Sequence, residues 1–174
     1  EVSQYRLTAH LALAVLIYGS MLWMALGLLT PRREGTPPPL TRKTAWLVVL
    51  VFITILSGGF VAGLKAGFGF NTFPLMAGQF VPDGYLSLSP PILNFFENPA
   101  TVQFNHRILA ETTGLLIILL WIFGRQELGP SRVRLALDAF GAMAVVQVGL
   151  GIATLLLVVP VGVDATHKGG ALLL

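Results

Sequence analysis

Apolar residues run along this chain in long blocks, not in the narrow stripe that a soluble amphipathic helix shows. Four blocks, Tyr5 to Leu29, Thr44 to Leu64, Val102 to Phe123 and Leu135 to Val159, each reach the roughly 20 residues that a helix needs to cross bilayer hydrocarbon. A fifth begins at Val163 and runs to Leu174. Lipid offers a bare backbone no hydrogen bonds, so these spans are predicted to be helices. The alternating ten-residue segments of a membrane β-barrel do not occur in the sequence. The pattern predicts an all-α fold, a polytopic membrane helix bundle with about five transmembrane helices.

Composition sharpens this picture. The chain is 55% hydrophobic and only 11% charged, with a mean hydropathy of +0.78, whereas a soluble domain carries roughly 25% charged residues. A soluble globular domain and a disordered segment are both excluded. The formal charge of +3 is small and scattered, so nucleic acid is not an expected partner. With no cysteine there is no disulfide, iron–sulfur cluster, zinc-thiolate site or covalent haem attachment. Any metal or cofactor falls to His, Met, Tyr or carboxylate. The chain opens at Glu1 without an initiating Met and closes at Gly169-Gly170-Ala171-Leu172-Leu173-Leu174 inside an apolar run, so both ends are expected to be truncated.

Charge sets the expected topology. The loop 30–43 carries Arg32, Arg33, Arg42 and Lys43 around Pro37-Pro38-Pro39, and the loop from Gly124 to Arg134 carries Arg125, Arg132 and Arg134. These loops hold 7 of the 11 Lys and Arg, which places them in the cytoplasm or the mitochondrial matrix. The first, third and fifth helices then run inward, and the segment 65–100 lies outside. That segment is long for a connection and rich in aromatics and glycine, including Phe68, Phe70, Phe73, Phe80, Tyr85, Phe95 and Phe96. Two readings stand side by side: an interfacial segment resting on headgroups, or a lid over the outer ends of the helices. Asn98-Pro99 closes it with a helix-start signal.

Chemistry concentrates in the histidines. His10, His106 and His167 each fall one to two turns inside the outer end of an inward-running helix. Each is followed four residues later by alanine (Ala14, Ala110, Ala171), and Thr113 and Gly114 continue a small face below His106. Small side chains beneath an imidazole leave room for a flat group, which suits haem ligation by neutral imidazoles from two helices. Interhelical hydrogen bonding by each histidine is the plain alternative. Zinc fits less well, because no carboxylate at helical spacing completes a site. Arg6, Arg107 and Lys168 near the outer ends either pair with haem propionates or snorkel to the interface. Glu111 is either a buried acid or the i, i+4 partner of Arg107. Asp138 reads as structural. Gly59, Gly63 and Gly67, and Gly141, Gly149 and Gly151 with Gln147, read as packing positions that let helices approach closely.

Six stretches taken together resemble a known family. They are Gly63-Leu64-Lys65-Ala66-Gly67, Asn71-Thr72-Phe73-Pro74-Leu75-Met76, Phe96-Glu97-Asn98-Pro99, Val102-Gln103-Phe104-Asn105-His106-Arg107, Gln147-Val148-Gly149-Leu150-Gly151 and Ala165-Thr166-His167. Over nearly the whole chain these are similar to the haem A synthases that serve cytochrome oxidase assembly, in the variety shared by proteobacteria and mitochondria. The resemblance implies eight membrane helices in two four-helix halves, with this chain running from the fourth helix to the start of the eighth. On that reading residues 1–29 end the first, substrate half, 30–43 form a cytoplasmic loop, and 44–174 make the second half with its outer segment 65–100.

What the resemblance implies for function is specific. The second half of such proteins holds a b-type haem between two histidines, which fall on His106 and His167. The first half holds the substrate haem O, and its later histidine falls on His10. The reaction oxidises a methyl group of haem O to the formyl group of haem A, by successive hydroxylation and loss of water, with haem b relaying electrons. Its catalytic residues are not identified. Expected partners are haem O, haem O synthase, an unidentified electron donor and membrane lipid. The expected location is the bacterial inner (cell) membrane, with the mitochondrial inner membrane as the alternative. Two departures stand out: a cysteine pair found in the outer loop of some members is absent, and Lys168 stands where relatives often have Gln. Without half of the substrate site, this chain alone is expected to be inactive. A non-catalytic membrane haem b electron-transfer subunit is the alternative from another class. A small transporter coupling protons through His and Glu111 ranks last, because the histidines gather at one rim.

Overall fold

The computed structural model of the chain describes residues 3–29 and 39–174. Arg32, Arg33 and Pro37-Pro38 of the expected loop lie outside the described residues. Among those described there are six α-helices and no strand: α1 (Gln4–Leu29), α2 (Pro39–Gly63), α3 (Asn94–Glu97), α4 (Pro99–Glu127), α5 (Arg132–Leu156) and α6 (Val161–Gly170). Four of them, α1, α2, α4 and α5, are long and apolar enough to cross a membrane. The expected fifth span begins as α6, ten residues followed by a 3-10 turn at Ala171–Leu173.

The helices outrun the apolar blocks that signal them. Helix α2 begins at Pro39, so Arg42 and Lys43, expected in a loop, lie in its first turns. At the other connection α4 continues through Arg125 to Glu127, and α5 takes in Arg132 and Arg134. Hydropathy marks where hydrocarbon lies, but backbone groups go on hydrogen-bonding each other into the headgroup layer, so helices end later than apolar runs do. Ser131 caps α5 by accepting from Arg134 N at 3.2 Å. Asn98 caps α4 as its sequence signal predicts, accepting from the amides of Ala100 and Thr101, with Pro99 at the first helical position.

Contacts run α1 to α2, α2 to α4, α4 to α5 and α5 to α6. A small core of Leu47, Val51, Ile117 and Ala144 lies where α2, α4 and α5 meet. Most other large apolar side chains face outward, as expected where lipid and not water is the solvent. Close approach depends on glycine at the α1–α2 crossing. A Cβ on Gly63 would come within 2.6 Å of Gln4 Cα, and one on Gly59 within 3.0 Å of Thr8 Oγ1. At the end bearing the loop arginines, Asp138 has a structural role, accepting from Trp121 Nε1 at 2.8 Å and pairing with Arg125 at 3.3 Å.

The long connection between α2 and α4 is folded onto the ends of the helices. Asn71 donates to Gly67 O at 2.8 Å and to Leu155 O, near the end of α5, at 2.9 Å. Asn94 and Asn98 are buried and bond each other, Leu88 O, Pro91 O and Gly84 O, giving the segment a polar core of its own. Aromatic rings tie it to the bundle. Tyr5 meets Phe60 edge-on at 5.9 Å, Phe60 meets Phe96 at 5.4 Å, and the Tyr5 hydroxyl donates to Glu97 at 2.8 Å.

Candidate functional site

All three histidines stand six or seven residues past the first residue of their helices, α1, α4 and α6. Two of them come together. His106 on α4 and His167 on α6 are each bonded by a side chain of a neighbouring helix, α2 and α5, which pack against α4 and α6 respectively. His10 does not join them: it is exposed on α1.

Each ring of the pair is held by Nδ1 from a neighbouring helix. Ser57 Oγ on α2 lies 2.7 Å from His106 Nδ1, and Gln147 Nε2 on α5 lies 3.1 Å from His167 Nδ1. The same Gln147 amide donates to the carbonyl of His167 at 2.6 Å. Nε2 of both rings is left without a hydrogen bond among the described residues. An imidazole whose anchored nitrogen donates its N–H, leaving a lone pair on the other, is the usual state of a metal ligand.

Glycines make room for the rings. A Cβ on Gly58 would meet His106 Cε1 at 3.1 Å, and a Cβ on Gly151 would meet His167 Cε1 at 3.0 Å. The small face of α4 below His106 serves a different purpose from the one its sequence suggests. Thr113 bonds Thr54 at 2.9 Å, and a Cβ on Gly114 would reach Val148 Cγ2 at 2.7 Å, so both residues bring helices together. An apolar groove of about 330 Å³, lined by Leu56, Phe60, Phe96 and Val102 among others, flanks Ser57. Its low polarity strengthens the bond between Ser57 and His106.

The charged neighbours are engaged locally. Arg107 donates to Phe70 O at 2.6 Å and to Thr72 O at 2.8 Å, so two of its donors fasten the outer segment. Its Nε is buried without a partner. Gln103 Nε2 also donates to Phe70 O, at 2.9 Å. Glu111 is exposed and closes no ion pair with Arg107. Lys168 pairs with Asp164 at 2.5 Å, one turn back on α6.

Comparison with known proteins now adds to the geometry. All of the chain, residues 1–174, matches the sequence pattern of the family described as cytochrome oxidase assembly protein. The chain belongs to that family. Among its curated relatives, it is 49% identical to the heme A synthase of Nitrosospira multiformis over 178 residues, covering 100% of this chain and 50% of the relative. It is 44% identical to the heme A synthase COX15 of Mus musculus over 181 residues, covering 100% of this chain and 43% of that protein. The heme A synthase of Paramagnetospirillum magneticum is 46% identical, with 99% of this chain and 50% of the relative covered. The chain spans about half the length of the curated relatives it matches. No solved structure matches it. Family membership and four helices of spanning length make this an integral membrane protein.

Ser57 and Gln147 are the site residues that sequence reasoning missed as partners. Gln147 stood out as a polar residue within a packing stripe and as part of a family-like stretch, not as a partner of His167, and Ser57 not at all. A polar residue facing apolar neighbours on a helix one step away from a histidine's helix is the signal that would have found both.

Proposed function

We propose that this chain is the cofactor-binding part of a haem A synthase, which oxidises a methyl group of haem O to the formyl group of haem A. The observation that carries this reading is that His106 and His167, on two different helices, are each held at Nδ1 by a side chain of a neighbouring helix, with no hydrogen bond at either Nε2 among the described residues. Relatives that bear the heme A synthase name cover the whole chain and support the reaction.

The residues fit a haem b. His106 and His167 would hold it, the glycines at 58 and 151 allow the rings to lie close to α2 and α5, and neutral imidazoles suit iron in an apolar bundle. Bound there, the haem would supply reversible one-electron transfer between its ferric and ferrous states. Arg107 and Gln103 hold the outer segment across the end of α4, which screens that end of the site from water. His10 stands apart on an exposed face of α1 and is assigned to the iron of the substrate haem O, in a second site that also needs residues from outside this chain. A donor protein would supply the electrons, and a haem O synthase the haem O.

Haem O turnover tests the reading. Offered to this chain in detergent, haem O should be recovered unchanged; offered to a protein of the relatives' full length containing it, haem O should become haem A. Product from this chain alone would overturn the two-site assignment. No product from the longer protein, with its haem b in place, would leave a non-catalytic electron-transfer subunit instead.

A further inference from the structure

The partners of the two paired histidines place different demands on their rings. Ser57 has one hydroxyl proton, and its Oγ lies 2.7 Å from the carbonyl oxygen of Thr54. A carbonyl has no proton to give, so a contact that short needs the proton of Ser57. With its proton committed there, Ser57 Oγ meets His106 Nδ1 at 2.7 Å as an acceptor. His106 therefore carries its proton on Nδ1 and presents a lone pair at Nε2, the form in which an imidazole binds a metal.

His167 is in the other state. The Gln147 group 2.6 Å from the carbonyl of His167 must be the amide nitrogen, because an oxygen there would face another oxygen. That same nitrogen faces His167 Nδ1 at 3.1 Å and donates to it, which puts the ring proton on Nε2. Gln147 Oε1, the atom that could accept from a protonated Nδ1, is buried with no partner, against Gly170, where a Cβ would lie 2.6 Å away.

From these contacts we infer that Ser57 is a positioning residue: it fixes His106 in the Nδ1-protonated tautomer and makes His106 the preformed ligand of the pair, while His167 ligates only after its proton and the Gln147 amide rearrange. The inference rests on the haem reading above, but its first test does not need haem. The bond to Ser57 also gives the His106 ring more electron density, which favours ferric iron, so loss of the hydroxyl moves the midpoint potential upward.

The test is ¹⁵N NMR of the haem-free chain in detergent, followed by haemin titration and redox titration of the wild type, Ser57→Ala and Ser57→Thr. The expected spectrum shows His106 protonated at Nδ1 and His167 at Nε2. Ser57→Ala should lose the single His106 tautomer, bind haemin about 10- to 100-fold more weakly and have a more positive midpoint. Ser57→Thr keeps the hydroxyl and should restore all three. The opposite His106 tautomer in the wild type would overturn the inference even if neither variant folds. Equal affinity and midpoint in Ser57→Ala and the wild type would overturn it while leaving the haem reading intact. A folded wild type that takes up no haemin would overturn the haem reading, whatever tautomers the spectrum shows.

Discussion

Arg107, directly after a paired histidine, donates to the backbone carbonyl of Phe70 at 2.6 Å and to that of Thr72 at 2.8 Å. The residue after His106 is thus the fastening of the outer segment. Hydrogen bonds from a charged donor contribute about 1.5–3 kcal/mol each, and Gln103 adds a third bond to the same stretch. Arg107→Gln should raise hydrogen exchange across residues 70–76 while the helical circular dichroism stays unchanged. Unaltered exchange there would show that the bonds of Gln103 and Asn71 hold the segment without Arg107.

Two glycines of the same sequence type should respond differently, one at the α1–α2 crossing and one on α5. Gly63→Ala puts a methyl within 2.6 Å of Gln4 Cα, an overpacking that costs about 1–3 kcal/mol. Gly149 has nothing within 4 Å of a built Cβ, so Gly149→Ala should change stability by no more than about 0.5 kcal/mol. Thermal unfolding in detergent compares the two. A larger loss at Gly149 than at Gly63 would contradict the packing described.

At the opposite end of the bundle, Asp138 serves two donors, Trp121 Nε1 and Arg125. Asp138→Ala leaves the half-buried indole N–H without its acceptor, at a cost of about 1–3 kcal/mol. Fluorescence should report a changed Trp121 environment in a variant that retains Trp121 alone among the tryptophans. Unchanged emission and stability would mean that the pair is incidental.

How much of this was legible beforehand differs by feature. Long apolar runs locate hydrocarbon, so α1, α2, α4 and α5 were found, and Asn98-Pro99 marked the start of α4 because a cap is a local signal. Position along the helix also carried over, each histidine standing six or seven residues past the first residue of its helix. What stayed hidden depends on contacts between elements. Ser57 is 49 residues from His106, and nothing local marks it as a partner. The carbonyls of Phe70 and Thr72 have no sequence signature at all, so Arg107 read as a propionate contact or a snorkelling cation. Lys168 likewise read as a propionate contact or a snorkelling cation, although Asp164 stands at the i, i−4 position that pairs with it. Helix ends shifted because polar residues continue the backbone ladder past the apolar block.

The central claim is that His106 and His167 together hold one haem b. Its most direct test is a reduced-minus-oxidised and pyridine haemochrome spectrum of the purified chain in detergent, beside His106→Ala, His167→Ala and His10→Ala. A low-spin b-type signal that is lost in the first two variants and kept in the third is the expected result. A folded, helical wild type without haem, or a signal that survives loss of either His106 or His167, would contradict it.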